Sequence, residues 1–169
     1  MTTTASLSSP STRRRARALA LLGCLATAGP ALAWETRTGP GGGFEARVPA
    51  AAAVKVTGGA DAKPVLAVSC EGKGLFVTVS WPDAIPLKPN QHFAAVAWSL
   101  DGKSNTSAML ASSGSVSLAG SDAKIWLRQF AIAGRLEVHV PDAHGGQSAS
   151  FDLAGAKDVQ AGIAKSTCG

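Results

Sequence analysis

The chain has 169 residues and a mass of 17.0 kDa; it is 46% hydrophobic, 16% charged and 5% aromatic, with 19 Gly, 9 Pro and no Tyr. That length suits one domain, and a mean hydropathy of +0.15 excludes a wholly disordered chain. No uninterrupted apolar run approaches the roughly 20 residues that a membrane-spanning helix requires. A net charge of +5 invites a nucleic-acid reading, but the position of the charge matters more than its total.

Residues 1–33 read as a secretory signal. Arg13, Arg14, Arg15 and Arg17 precede the apolar run Ala18 to Ala28. A turn at Gly29-Pro30 then leads to Ala31-Leu32-Ala33, the small residues a signal peptidase accepts, with cleavage before Trp34. Four of the 16 basic residues leave with this segment and none of the 11 acidic ones, so the net charge falls from +5 to +1. The remaining Lys and Arg are scattered and form no basic stripe, so no nucleic-acid partner is expected. Two other export routes leave partial traces. Leu21-Leu22-Gly23-Cys24 has the form of a lipoprotein acylation box, although only five apolar residues separate Arg17 from Gly23. The twin arginines are followed by Ala16, Arg17 and Ala18 where that signal expects other residues, which favours the general secretion route.

Removal of the signal leaves two cysteines, Cys70 and Cys168, which an oxidising compartment lets pair. Closing a loop of that length removes about 4–5 kcal/mol of unfolded-state freedom on the chain-entropy model, so a structural disulfide is expected. A metal or redox site would call for a Cys-x-x-Cys pair or a nearby His, and neither accompanies these cysteines.

In the mature chain, residues 34–63 are rich in Gly, Pro and Ala, with one candidate strand at Phe44–Val48. The stretch Ala50–Val56 reads as its continuation or as a brief helical turn. Residues 64–169 form the main domain. Val65–Cys70 and Leu75–Trp81 are β-rich runs joined by Glu71-Gly72-Lys73-Gly74, with Leu75, Val77, Val79 and Trp81 on one face. Pro82, Pro86 and Pro89 then interrupt any ladder, because proline has no amide hydrogen to donate. His92–Leu100 reads as a strand ended by Asp101-Gly102-Lys103, with Ala108–Ala111 as its return. A helix follows, capped by Ser121 or Asp122 and stopped at Gly134, with Ile125, Trp126, Phe130 and Ala133 on its apolar face. Arg135–Val140 alternates with period two, turning Leu136, Val138 and Val140 inward and His139 outward; Ser148–Leu153 is its partner. Ala156–Lys165 is a short helix carrying Val159 and Ile163. The sum is a mainly β protein: an antiparallel, immunoglobulin-like β-sandwich with one internal helix and a short C-terminal helix.

Chemistry is sparse. Gly39 to Gly43 lacks the strand-to-helix setting and the Lys-Ser/Thr signature of a phosphate loop. His139, Asp142 and His144 cluster around one hairpin and include metal-ligand types, but outward alternation and turn preference account for them, so no metal or other cofactor is expected. Ser113-Gly114-Ser115 lacks the form of a nucleophile elbow and reads as an exposed polar loop. Asp83, Asp101, Asp122 and Asp152 each sit beside a turn, a cap or an outward strand position.

In its ordered motifs the chain resembles the type VI secretion-associated TagO/VasI family of periplasmic accessory proteins. The likeness runs through Trp34, Pro64–Cys70, Val79-Ser80-Trp81, Leu100-Asp101-Gly102-Lys103, Ile125–Phe130, Arg135–Pro141, Phe151–Gly155 and Cys168. The resemblance implies a periplasmic accessory role in secretion. Together with the export signal and the sparse chemistry, it leads us to expect a periplasmic or secreted, non-catalytic binding or assembly module that contacts an envelope protein or a cell-wall component. Trp81, Asp101, His139, Asp142 and His144 are its candidate binding surface. The alternative is a small extracytoplasmic enzyme inhibitor or hydrolase working through the Pro141–Gly146 hairpin or the Trp81–Asn90 loop.

Overall fold

The computed structural model describes residues 33–39, 42–85, 87–88, 90–141 and 146–169. The signal segment up to Leu32, including Cys24, lies outside them, as do Asp142 and His144. The elements in chain order are β1 (Glu35–Thr38), β2 (Phe44–Pro49), β3 (Val54–Lys55), β4 (Asp61–Ala62), β5 (Val65–Glu71), β6 (Gly74–Ser80) and β7 (Phe93–Leu100). There follow β8 (Lys103–Ser112), β9 (Ser115–Ala119), α1 (Gly120–Phe130), β10 (Arg135–Val140), β11 (Gln147–Asp152) and α2 (Ala156–Ala164).

Nine strands form one antiparallel sheet in the order β1-β2-β5-β6-β9-β8-β7-β10-β11, and β3 pairs with β4 in a separate ribbon. The expected mainly β architecture with an internal and a C-terminal helix is therefore present. Its two layers are halves of one folded sheet. β6 and β9 pair at five positions, but β9 and β8 only at Leu110↔Ser117, Ala111↔Val116 and Ser112↔Ser115. That narrow seam divides a five-stranded half (β1-β2-β5-β6-β9) from a four-stranded half (β8-β7-β10-β11). Beyond the far end of the sheet, the Ala51 N–H donates to the Ser150 carbonyl at 2.8 Å, bringing the chain after β2 to the free edge of β11.

Period-two alternation builds the core from both halves. In the first, Ala46, Val68, Val77 and Leu118 lie in register and are buried, as are Val48, Leu66, Val79 and Val116. In the second, Leu136 lies opposite Phe151 and Leu100, while Val138 lies opposite Ala149 and Trp98. α1 packs against β6 and β9 and α2 against β2. The α1 ring of Trp126 stands 4.8 Å from that of Trp98 on β7 and 5.5 Å from Phe130. Cys70 and Cys168 form the expected disulfide, with Cα atoms 5.9 Å apart. It ties β5 to the tail after α2.

Several expectations need correction. β2 sits between β1 and β5 in the main sheet, so residues 34–63 are part of the fold and not an appendage. β1 itself is unexpected, because Glu-Thr-Arg-Thr has no apolar alternation. The Ala50–Val56 stretch is neither a helix nor a continuation of β2; it bends at Ala51 and Ala52 into the short β3. The return strand after Asp101-Gly102 spans Lys103–Ser112, and Ser113-Gly114 is the tight turn into the unexpected β9. α1 has no side-chain cap: Ala119 is extended and Gly120, at φ +61°, swings the chain off β9 straight into the helix. The helix ends at Phe130, ahead of Gly134. Its buried stripe is Ala123, Trp126, Leu127 and Phe130, while Ile125 lies about 100° off that stripe and is 49% exposed.

Candidate functional site

The outer face of the four-stranded half carries the site. Strand alternation turns Glu137 and His139 of β10 outward, and the register sets Glu137 beside Ser99 and Ser150, and His139 beside Ala97 and Ser148. These neighbours are hydrogen bonded. The Ser99 hydroxyl donates to Glu137 Oε2 at 3.2 Å, and Ser148 Oγ lies 2.8 Å from His139 Nδ1. Arg135 Nε donates to Ser150 Oγ at 2.9 Å, and Arg135 Nη2 pairs with Glu137 Oε1 at 3.0 Å. Ser99, 8% exposed, is the buried polar side chain among the described residues, so its bond to Glu137 meets a real need. The Arg135–Glu137 pair is largely solvated and orients its groups more than it stabilises the fold.

Ala52 and Val54 complete this surface from the segment between β2 and β3, giving a groove of about 450 Å³. The segment is anchored at both ends. Before it, the Ala50 N–H donates to the Pro64 carbonyl at 2.7 Å; beyond it, the Thr57 N–H donates to the Asp83 carboxylate at 2.9 and 3.1 Å. Small side chains such as Ala52 and Ala97 leave room for a ligand. The serine hydroxyls, the Asn105 amide, the Glu137 carboxylate and the His139 ring offer both donors and acceptors. Farther along the same face, Phe93 and Leu110 form a cross-strand pair, 57% and 44% exposed.

The close His139–Ser148 pair raises nucleophilic catalysis. A working triad also needs an acid on the second ring nitrogen and N–H donors aimed at a developing oxyanion. Glu137 instead faces Arg135 and Ser99. β10 lies between β7 and β11, so its backbone N–H groups are committed to the two ladders. The arrangement suits binding through hydrogen bonds.

Of the expected surface residues, His139 falls in the groove. Trp81 does not serve as surface. It is 5% exposed, because the inward alternation of β6 continues to it, and among the described residues its buried indole nitrogen has no partner. Asp101 is exposed but structural: its carboxylate accepts the Gly134 N–H at 3.1 Å and the Arg135 N–H at 2.9 Å, joining the β7–β8 turn to the start of β10. Asp83 likewise anchors Thr57, so the candidate carboxylates do not converge on a site. Asp142 and His144 lie outside the described residues. Among the described residues, no group of three or more His, Cys, Asp or Glu could hold a metal ion. Also among the described residues, no helix is long and apolar enough to cross a membrane.

Ser99, Glu137, Ser148 and Ser150 were not singled out from sequence. The alternation of β10 and β11 signals which side chains point outward, but the β7–β10 register that joins Ser99 to Glu137 spans 38 positions and leaves no local mark. No protein-family model, no curated protein and no solved structure matches the chain.

Proposed function

We propose that this protein is an exported, non-catalytic binding or assembly module of the bacterial cell envelope, and that its outer-face groove takes an amide- and hydroxyl-rich segment of a cell-wall component. The observation that carries this reading is the groove itself: small side chains beneath a ring of hydroxyl, amide, carboxylate and imidazole groups, at a volume within the range of small-ligand sites. The export signal supports the compartment, and the Cys70–Cys168 bond is of a kind that persists in oxidising surroundings. The test is calorimetric titration of the purified protein with soluble muropeptides, alongside co-sedimentation with isolated peptidoglycan sacculi. Saturable binding that His139→Ala weakens is the expected result; no binding in either assay overturns the reading.

The accessory role in type VI secretion is a narrower form of the same reading and rests on the ordered motifs from Trp34 to Cys168. Deleting the gene and measuring effector export tests it, and unchanged export contradicts it. A hydrolase reading has one observation in its favour, the 2.8 Å His139–Ser148 pair. Ester or amide turnover abolished by Ser148→Ala would establish it in place of the binding reading.

A further inference from the structure

β8 is paired on both sides for only part of its length. Toward β7 it pairs from Lys103 to Leu110, but toward β9 only at Leu110, Ala111 and Ser112. β9 runs on to Ala119 beside β6 while β8 diverges. Across the two-residue turn, Leu100 and Lys103 form a hydrogen-bonded pair, so alternate residues from Lys103 to Met109 direct their backbone groups toward β7. Those of Ser104, Thr106 and Ala108 therefore face away from it. The bond from the Ala111 N–H to the His92 carbonyl, 2.9 Å, has the same phase. Among the described residues, the outward groups of Ser104, Thr106 and Ala108 have a single partner, Asn105 Oδ1, 3.2 Å from the Thr106 nitrogen.

An open strand edge is a template for another strand, and proteins usually guard it with charge or proline. The outer edge strand β1 carries Glu35 and Arg37, whereas Ser104 to Ala108 contains neither a charge nor a proline. The opening leads into a groove of about 440 Å³ between β8 and α1. Leu118, Ile125 and Trp126 give the facing wall an apolar character, and Asp122 is the one ionisable side chain among the lining residues. Asp122 takes part in no ion pair among the described residues. A single extended segment suits this space. A second copy pairing through its own β8 would have to bring β7 and α1 against the same opening.

We infer that the free edge of β8 accepts an extended segment of a partner protein as an added β-strand, with alternate apolar side chains toward Trp126 and a Lys or Arg against Asp122. Backbone pairing supplies the affinity, and the apolar wall and the carboxylate select the sequence. This edge shares Trp98, Ser104 and Asn105 with the lining of the outer-face groove. Thr106→Pro and N-methylated peptides probe the edge while His139→Ala probes the groove, so the failure of one reading is distinguishable from that of the other.

The test is fluorescence anisotropy of the purified protein with a panel of fluorescein-labelled decapeptides that alternate Val, Leu or Phe with Thr and carry one Lys. At least one member should bind saturably below about 1 mM. N-methylation of the backbone amides in one alternate set of that peptide should weaken binding at least about tenfold, and in the other set by less than about twofold, because only one set faces β8. This arm uses the unaltered protein. Thr106→Pro should produce a loss similar to the disruptive N-methyl set; its N–H faces away from β7, so proline removes no existing ladder bond. Asp122→Asn should weaken the Lys-bearing peptide more than its norleucine counterpart. No saturable binding by any member, or equal sensitivity of both N-methyl sets, overturns the inference. So does a dimer in sedimentation velocity that Thr106→Pro dissociates, since it would assign the edge to a second copy.

Discussion

The two halves of the sheet obey the same alternation on their inner faces and differ on their outer ones. The five-stranded half carries polar pairs on its outer face, Thr78 with Ser117 at 2.9 Å and Arg47 with Glu45 at 2.7 Å, beside a cavity of about 760 Å³ that reaches from β1 to the β5–β6 turn. Its β5 is also fixed by the disulfide to the tail after α2. The Thr167 hydroxyl adds a bond to the Gly72 carbonyl in the β5–β6 turn. The four-stranded half instead presents exposed apolar side chains, Phe93 and Leu110, together with the groove beside His139 and Ser148. One half is built as a frame and the other as a presented surface, although both are made of equally regular strands.

The frame should carry the largest single cross-link contribution to stability. Replacing both cysteines, C70S with C168S, should cost about 4–5 kcal/mol in urea unfolding on the chain-entropy model. A loss no larger than that of an ordinary surface change would erase the distinction between the halves. Next comes Phe151→Ala, which removes a fully buried ring on the inner face of the presented half. A cost of about 3–5 kcal/mol in the same measurement is expected, because both halves share one core. A much smaller cost would mean that the presented half packs independently.

The alternation that places Phe151 and Leu136 inside was legible in sequence, as were the Glu71–Gly74 hairpin, the Asp101-Gly102 turn, the Cys70–Cys168 bond and both helices. β1 was hidden because a charged edge strand has no buried face to mark it. β8 was legible only near its end: Met109 is the one buried residue of that strand, so most of it has no apolar rhythm. The site was visible in part through His139. Its partners Ser99 and Ser148 depend on strand register, which pairing across the sheet determines and local composition does not. Trp81 misled, and the exposed Asp101 also holds backbone N–H groups. A tryptophan beside a proline-rich loop is equally compatible with burial, and an acid in a turn is equally compatible with holding backbone N–H groups.

Smaller effects sharpen the comparison further. Asp101→Ala should cost about 1–2 kcal/mol, since the Gly134 and Arg135 N–H groups lose their acceptor, without changing ligand binding. A selective loss of binding with unchanged stability would return Asp101 to the functional surface. His139→Ala, at a half-buried position with one hydrogen bond to Ser148, should cost no more than about 1 kcal/mol of stability while lowering muropeptide affinity in calorimetry. A large unfolding effect would make the His139–Ser148 pair part of the frame.

The most direct measurement is retention on peptidoglycan sacculi of two matched variants, Ser148→Trp in the presented half and Arg47→Trp in the frame, both at exposed positions. The account predicts that Ser148→Trp fills the groove and loses retention at unchanged stability, while Arg47→Trp is retained like the unaltered protein. Equal retention of both variants, or loss confined to Arg47→Trp, would contradict it.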